Sequence, residues 1–537
     1  MATSNFPTAA VSSAIAGQRP TAPRKWLTLI AVCLGLGMLM IDMFVVNIAF
    51  PAIGRSLNAS LSAAEWTVSG YVLVIGVLPI AMGRLGDLFG RRRLYLIGLL
   101  LFVGASAACG FATGIEALIG FRVLQGLGAA IMMPLTLSIV TQAFPAAQRG
   151  LAIGIWGGVS GLGLIAGPIL GGLLVRGDSW RWIFFINLPV GVIALAMGLL
   201  FVSESRDEGA PRSIDWAGLA LLSLALLLIM LGFTRASAEG WGAPRILACL
   251  AGGLALLPAF VAVERRRRFP LVDLSLFRSR VFVMACLSAF LFNVAIFGQQ
   301  PFVSLFMQNY WGFTPLKAGL AFLPSTVLVA LMMPFSGVMG QRLGSRLRLL
   351  TVAGALLVLA SSLWLLRLDV RSGYADGFLP SFLVRGAGIG LFMSATSLAV
   401  MSAVPLARAG VASGTLTMAR QIGTSLGVAL LGSVFLNHVD GVLPGRLDGV
   451  PAPAAARLVT AAERFVPAGS GAAHAAAQQA IVAGFVRISL VASLICAVAA
   501  IAAFYIRQRP APAAATAPQS EAALLRVDAF ATAAPVE

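Results

Sequence analysis

Long apolar stretches, separated by short polar segments, run along almost the whole chain. A helix needs about 20 apolar residues to cross the hydrocarbon core of a bilayer, and these stretches contain about 18 to 25. Because the membrane interior offers the backbone no hydrogen-bonding partners, each stretch is predicted to be a helix. The pattern predicts an all-α integral membrane protein with fourteen transmembrane helices, near residues 27–50, 64–83, 94–112, 116–138, 150–174, 182–202, 216–234, 245–263, 281–306, 318–340, 348–367, 377–403, 411–437 and 482–506.

The fifth apolar stretch reappears, in altered form, near the other end of the chain. A second glycine-rich block, Gly83–Leu94, matches Gly337–Leu347 at an offset of 254 residues. Two matching blocks in the same order predict a duplicated protein whose halves approach each other through small residues. In the fifth stretch the offset is 260 residues, and it aligns Gly150, Gly154, Gly163, Gly167 and Gly172 with Gly410, Gly414, Gly423, Gly427 and Gly432.

The repeat also divides the chain. The block Gly83–Leu94 follows the second predicted helix, and its copy Gly337–Leu347 follows the tenth. Equivalent helices of the two halves are therefore eight positions apart along the chain rather than six. We therefore predict two inserted helices between two six-helix bundles. The predicted divisions are a disordered cytoplasmic N-terminus (1–26), an N-terminal bundle (27–202), two inserted helices with flanking cytoplasmic loops (203–280), a C-terminal bundle (281–506) with a long outer loop (438–481), and a disordered cytoplasmic C-terminus (507–537).

Composition excludes a soluble class and explains the charge. The chain is 59% hydrophobic and 11% charged, with a mean hydropathy of +0.93. Its net charge of +18 comes from basic residues concentrated in loops on the N-terminal side, which the positive-inside rule places in the cytoplasm together with both termini. No nucleic-acid partner is therefore needed. The five cysteines lack metal-ligand spacing, and no catalytic or nucleotide-binding motif occurs. We expect no metal, no cofactor and no enzyme activity, and a gradient as the energy source.

Asp42 and Arg122 are charged residues inside predicted membrane helices, where a charge is costly and marks a functional site by default. Asp42 lies about eight residues from the outer end of the first helix, and Arg122 about six from that of the fourth, so both lie roughly 9 to 12 Å below the outer surface. We expect them to meet. A carboxylate that gains or loses an arginine partner changes its proton affinity, so the pair is the predicted proton-coupling site. The alternative is a static ion pair that fixes helix packing.

The loop after the second helix contains a candidate conformational latch. Gly83 and Gly90 permit a tight turn, and Asp87 can pair with the basic residues Arg91 and Arg92. Such a charged contact can hold one conformation and break in another. The alternative is a basic loop that only sets topology.

The fifth helix is the second candidate for movement. Pro168 bends a helix, and glycines at close spacing let it pack or slide against a neighbour across the interface between the bundles. A generic packing helix is the alternative. The glycines concerned are Gly163, Gly167, Gly171 and Gly172.

Together these motifs resemble the major facilitator superfamily and, within it, the fourteen-helix drug:proton antiporters of the EmrB/QacA type. The resemblance rests on MIDMFVVNIAFP around Asp42, GRLGDLFGRRRL from Gly83, RVLQGLGAA from Arg122 and GPILGG from Gly167. It implies the major facilitator fold and an antiporter of the bacterial inner membrane. Such a protein exports lipophilic or cationic drug-like molecules by alternating access while protons enter.

The substrate site is expected near the midplane, between helices one, two, four, five, nine, ten, twelve and thirteen. Other expected partners are the proton, membrane lipid and, if the cell has an outer membrane, a periplasmic adaptor. Two other functions remain open: a dedicated exporter of one metabolite, such as an antibiotic, siderophore or amino acid, and, more distantly, a non-transporting membrane sensor or scaffold. The candidate substrate residues, which are packing residues in the alternative, are Asn47, Tyr71, Gln125, Phe292, Asn293, Phe297 and Gln300.

Overall fold

A computed structural model describes residues 22–174, 180–207, 213, 215–267, 270–447 and 451–506. Within these residues the regular structure is entirely helical. The helices are α1 (Ala22–Ser56), α2 (Leu61–Val77), α3 (Pro79–Phe89), α4 (Arg91–Gly110), α5 (Ile115–Ala143), α6 (Arg149–Leu174), α7 (Trp182–Phe185), α8 (Asn187–Phe201), α9 (Trp216–Glu239), α10 (Pro244–Arg266), α11 (Arg280–Leu305), α12 (Pro315–Ala321), α13 (Leu323–Leu343), α14 (Arg348–Trp364), α15 (Leu379–Ser402), α16 (Ala409–Val442), α17 (Ala452–Glu463) and α18 (Gly471–Phe504).

The helices match the hydrophobic pattern. Among the described residues, twelve helical segments are long and apolar enough to cross a membrane, and the pair α2 and α3 makes a thirteenth. The remaining predicted stretch is covered by α6, which has 26 residues. The pair α2 and α3 bends by 53° because Pro79 begins α3 and cannot donate a backbone hydrogen bond to α2. All fourteen predicted stretches therefore coincide with helices.

Two pairs of glycines join the halves of the protein. Gly83 on α3 lies against Gly410 on α16, so close that a Cβ on either would clash with the carbonyl oxygen of the other. Gly337 on α13 and Gly150 on α6 make the same contact. These are the residues that the internal repeat aligns, so each half contributes one helix of each kind to the contact. The two contacts are related by the approximate twofold relationship of the halves.

The inserted helices α9 and α10 pack against each other beside the place where the halves meet. Their contact is close because Gly253 on α10 lies against the backbone of Ala225 on α9. Gly76 on α2 lies against the Met230 side chain of α9, and α9 also contacts α16. The insertion therefore touches one helix of each half.

The segment 438–481 differs from the flexible outer loop expected there. Helix α16 continues to Val442, α17 occupies Ala452–Glu463, and α18 already begins at Gly471. Alanine, which is abundant here, has the highest helix propensity. Phe465 then anchors the segment by stacking on Phe435, with ring centroids 4.1 Å apart. Most of the described part of the predicted outer loop is therefore helical.

The predicted disordered termini fall almost entirely outside the described residues. Residues 1–21 and 507–537 belong to that part. Residues 22–26, however, form the first turn of α1. The boundary expected at residue 26 is therefore corrected to Ala22.

Candidate functional site

Asp42 and Arg122 form an ion pair in the interior of the first half. Arg122 Nη1 lies 2.6 Å from Asp42 Oδ2, and both side chains are fully buried. Asp42 lies on α1 and Arg122 on α5, which are the first and fourth membrane helices. The structure therefore brings together the two residues that we selected for proton coupling.

Amide side chains complete the surroundings of the carboxylate. Asp42 Oδ1 accepts hydrogen bonds from Gln125 Nε2 at 2.9 Å and from Asn187 Nδ2 at 3.0 Å. Gln125 Oε1 in turn accepts a hydrogen bond from Arg122 Nη1 at 2.7 Å. Arg122 also donates from Nε to the Thr67 carbonyl oxygen at 3.0 Å. Buried charges of this kind are tolerated when they are paired and hydrogen-bonded, so we call Asp42, Arg122, Gln125 and Asn187 the carboxylate cluster.

Two of the predicted substrate residues lie in or beside the carboxylate cluster: Gln125 is a member, and Tyr71 packs against it. Gln125 bridges Asp42 and Arg122, and the Tyr71 ring lies under the Arg122 guanidinium, 4.1 Å from ring centroid to Cζ. Neither residue lines the central cavity described below. We therefore assign them to the ion-pair cluster and not to the cavity lining, because the hydrophobic pattern of a helix buried on all sides does not reveal which face points to the cavity.

Sequence analysis did not select Asn187. This residue opens α8 and also donates a hydrogen bond from Nδ2 to Ser106 Oγ at 3.0 Å. The available signal was an amide inside the apolar run IFFINLPVG, since polar groups at membrane depth are costly without a partner.

Asp87 connects the halves at the side of the protein on which α1 begins. Its Oδ1 accepts a hydrogen bond from the Gly410 backbone N–H at 2.9 Å, and its Oδ2 from that of Val411 at 3.0 Å. A helix N-terminus has free N–H groups and favours negative charge. Arg91 donates to Asp87 Oδ1 from Nε and Nη2, at 2.8 and 2.6 Å, and to the Leu406 carbonyl oxygen at 2.7 Å. One carboxylate and one guanidinium therefore tie α3 and α4 to α16.

Arg92 takes no part in this contact. Its Nη2 donates to the Leu199 carbonyl oxygen at 2.6 Å, and its backbone N–H donates to Glu204 Oε1 at 3.0 Å. Leu199 lies in the first half and Glu204 in the segment that follows it, so neither partner lies on α16. The expected membership of Arg92 in the latch is wrong, because consecutive residues of a helix point in different directions and only Arg91 faces α16.

Two glycines shape the latch in the first repeat, and the corresponding loop of the second repeat makes a contact of its own. Gly90 ends α3 with φ +111°, a conformation that favours glycine, and Gly83 allows the contact with α16. In the second half, the Gln341 side chain donates a hydrogen bond to the Ala146 carbonyl oxygen. The corresponding loops of the two repeats therefore both contact the opposite half. The contact in the first repeat is made by the charged Asp87, and the one in the second repeat by the neutral Gln341.

The glycines of α6 face two different neighbours. Gly163 lies against Met40 and Gly167 against Phe44 on α1, which is in the same half. The contact across the halves is made nearer the start of α6, where Gly154 lies against the backbone of Pro334 on α13. The expected interface role therefore belongs to an earlier part of the helix. Gly171 is buried, and the side-chain positions of Pro168 and Gly172 lie outside the described residues.

A cavity of about 470 Å³ lies between the halves. It is lined by α1, α2, α5 and α6 from the first half, by α11, α13, α15 and α16 from the second, and by α9 from the insertion. Eight of these helices are the ones expected around the substrate, whereas α9 was not expected. Such a volume accommodates a drug-sized molecule.

Three of the predicted substrate residues line this cavity: Asn293, Phe297 and Gln300. Phe292 does not, because its ring is stacked on Phe392 with centroids 3.8 Å apart. The Asn47 side chain lies outside the described residues. In the part of the chain that the structure describes, no group of three or more His, Cys, Asp or Glu residues is arranged to hold a metal ion.

Comparison with known proteins gives consistent matches. A family model described as Major Facilitator Superfamily matches residues 32–428. The tetracenomycin C resistance and export protein of Streptomyces glaucescens is 40% identical over 428 residues, which are 79% of this chain and 78% of that protein. The multidrug resistance protein Stp of Mycobacterium tuberculosis is 37% identical over 429 residues, 80% of this chain and 79% of that protein. The crystal structure of the human organic anion transporter MFSD10 superimposes with a TM-score of 0.57, at 14% identity, over 88% of this chain and 99% of that chain; at this identity it shows the fold alone.

Proposed function

The chain belongs to the Major Facilitator Superfamily, and from this premise we propose that it exports drug-like small molecules across the bacterial inner membrane by alternating access, in exchange for protons. Its similarity to a tetracenomycin C export protein and to a multidrug resistance protein supports export rather than uptake. The two inserted helices favour the fourteen-helix drug:proton antiporter branch. Because basic residues concentrate in loops on the side where α1 begins, we place that side and both termini in the cytoplasm.

The observation that carries the proton-coupling proposal is the position of Asp42. Its carboxylate is fully buried in the carboxylate cluster, while its neighbours Met40, Met43 and Phe44 on the same helix line the cavity. Protonation of Asp42 removes the charge that holds Arg122, so the contacts between α1 and α5 change together with the cavity wall. One residue thus links proton binding to the shape of the substrate site.

The Asp87 latch indicates on which side of the membrane this conformation is closed. With Asp87 and Arg91 bound to α16, the two halves are held together on the side that we assign to the cytoplasm. The conformation described here is therefore the one closed toward the cytoplasm. Breaking the latch would let α3 and α16 separate and open the cavity to that side.

The test is proton movement in proteoliposomes with an acid-loaded interior, on adding a panel of drug-like compounds that includes lipophilic cations, organic anions and antibiotics. We expect several compounds to trigger proton release from vesicles with the wild-type protein and none to do so with Asp42→Asn, which keeps the size of the side chain but cannot ionise. Asp369→Asn, in an exposed turn, is the matched control. If wild type and Asp42→Asn respond alike, Asp42 is structural and the coupling proposal fails.

The second candidate is a dedicated exporter of one metabolite. The similarity to a protein named for tetracenomycin C favours an antibiotic as that metabolite. In the same assay a response to a single compound supports this candidate. A periplasmic adaptor remains a proposed partner only if the cell has an outer membrane.

A further inference from the structure

The charge of the central cavity is positive. Arg385 on α15 and Arg420 on α16 line it, and none of the other described lining residues is charged. An uncompensated charge at membrane depth is costly, and arginines there usually pair with a carboxylate. The cavity of this protein therefore has a cationic wall on the side of its second half.

Arg385 is held by neutral groups. Its Nη2 donates to the Ile296 carbonyl oxygen at 2.7 Å, and its Nη1 donates to Gln299 Oε1 at 3.2 Å. Its side chain is almost completely buried, at 3% exposure. These contacts fix the guanidinium against α11 without neutralising it.

Arg420 is held in a similar way. Its Nη2 donates to Ser397 Oγ at 2.9 Å and to the Met393 carbonyl oxygen at 3.2 Å. Its buried Nε finds no hydrogen-bond partner among the described residues. A buried donor without an acceptor is costly, so an acceptor that reached this nitrogen would be stabilising.

In the first half of the same protein, a buried arginine has its charge neutralised by an ion pair. Arg122 pairs with Asp42 at 2.6 Å, whereas neither Arg385 nor Arg420 forms an ion pair within the described residues. Both of these arginines line the cavity, whereas Arg122 does not. A ligand with an anionic group would supply the missing negative charge.

The spacing and the walls define the rest of the ligand. Arg385, Ile389 and Met393 face the cavity on successive turns of α15, and Arg420 is bonded at Met393, so the two arginines are anchored about 12 Å apart along that helix. The other walls are mainly apolar and aromatic and include Trp156 and Phe297. Such walls favour a flat apolar body.

We propose that the preferred substrates are amphipathic organic anions, with an aromatic body and one or more acidic groups such as a carboxylate or a phenolate, each bound by Arg385 or by Arg420. This proposal rests on the proposed export function and names its substrate class. Cations of similar size are disfavoured, because they would meet two positive charges in a cavity of low polarity.

The substrate charge has a consequence for energetics. An anion that leaves and a proton that enters move charge in the same sense. With one proton per monovalent anion, export is driven by the membrane potential as well as by the pH gradient. With one proton per monovalent cation, the potential has no net effect.

The experiment compares two xanthene dyes of similar size: fluorescein, an anion at neutral pH, and rhodamine 123, a cation. Binding to the purified full-length protein is measured by fluorescence anisotropy, and transport is measured in proteoliposomes. We expect fluorescein to bind more tightly and to move in response to an imposed potassium potential. Arg420→Gln and Arg385→Gln should each weaken fluorescein binding by about tenfold or more, since each removes a hydrogen bond to a charged group. Rhodamine 123 binding should be unchanged or tighter, which also shows that the variants are folded.

Two control variants accompany the arginine variants, and the possible results distinguish the anion proposal from the export function. Arg420→Lys should retain much of the fluorescein binding, and Arg245→Gln, on an exposed site at the start of α10, should retain all of it. If rhodamine 123 binds and moves with protons while fluorescein does neither, the anion proposal fails and the export function stands. If fluorescein binding depends on the arginines but neither dye moves, the anion site stands and the export function fails. If neither dye binds, or if neither arginine affects fluorescein binding, the anion proposal is overturned.

Discussion

Gly83 on α3 and Gly410 on α16 touch backbone to backbone across the two halves of the protein. Because no side chain separates them, the carboxylate of Asp87, one turn further along α3, reaches the first backbone N–H groups of α16. The glycine contact and the charged contact therefore depend on each other. A change of conformation that opens this side has to break both.

A methyl group at Gly83 is expected to disturb this contact directly. Gly83→Ala places a Cβ against the Gly410 carbonyl oxygen, where neither backbone can move without displacing its helix. We expect the transport rate to fall by about fivefold or more, because a steric cost of about 1–3 kcal/mol falls on the closed conformation. The measurement is dye transport at equal protein density in proteoliposomes.

Gly104→Ala serves as the control for this prediction. Gly104 lies on α4, and a Cβ there meets no atom within 4 Å. This variant should transport at close to the wild-type rate. Equal loss in both variants would show that the reduced rate reflects helix propensity rather than the contact between the halves.

Removing the charge of Asp87 should favour opening of the cavity on the latch side, where α3 meets α16. Asp87→Asn weakens two hydrogen bonds from Arg91 and two from the start of α16. Hydrogen bonds to charged groups contribute about 1.5–3 kcal/mol each, so the ratio of closed to open protein should fall at least tenfold. We would measure the labelling rate of a single cysteine at the cavity residue Thr417, in a protein without its native cysteines, with a membrane-impermeant maleimide applied from the latch side. Faster labelling is expected.

Arg92→Gln is the comparison for Asp87→Asn. Arg92 is adjacent to the latch in sequence but contacts Leu199 and Glu204, neither of which belongs to the second half. Labelling at Thr417 should therefore be unchanged. Faster labelling in this variant, or an unchanged rate in Asp87→Asn, would contradict the assignment of the latch.

The sequence contained enough information for the membrane helices and for the central ion pair. An apolar stretch in a bilayer must be a helix, and the fixed rise of a helix gives the depth of each residue. That is why counting alone places Asp42 and Arg122 at a similar depth, where they can meet. The repeat likewise indicates which glycines join the halves, since Gly83 and Gly410 belong to the two matching blocks.

The orientation of the helices about their own axes could not be obtained in this way. Helices that are apolar on all sides have no distinct face. Phe292 and Phe297 look equivalent in the sequence, but only Phe297 lines the cavity. Arg385 and Arg420 were visible as charges within or at the ends of helices, yet their common cavity depends on how α15 and α16 are rotated. Tertiary packing, not local pattern, decides these positions.

Asn187 should prove necessary for the function of the carboxylate cluster. Asn187→Ala removes the hydrogen bond to Asp42 and the one to Ser106, leaving the buried carboxylate with fewer donors. We expect a loss of about 1.5–3 kcal/mol in stability and a marked reduction in drug-dependent proton release. Thermal unfolding in detergent and the proteoliposome assay measure the two effects.

The control is Asn309→Ala, which removes a hydrogen bond of similar length to the Arg464 carbonyl oxygen at an exposed site. It should leave proton release unchanged. If Asn187→Ala unfolds at a lower temperature but still releases protons normally, the residue has only a packing role.

Asp273 should contribute to stability in a pH-dependent way, outside the membrane helices. Burial raises the pKa of its carboxyl, but Ser275 and the Arg408 guanidinium lower it more, so its pKa lies below the ordinary value of 3.8. A carboxyl with a lowered pKa stabilises the fold above pH 4 and loses that contribution as the pH falls through the folded-state pKa. The pair is partly exposed, so the contribution is about 0.5 kcal/mol. We expect Asp273→Asn to unfold at a lower temperature than wild type at pH 7 and the difference to narrow below about pH 4; a difference that is constant from pH 7 to pH 3 would show that the charge of Asp273 is not responsible.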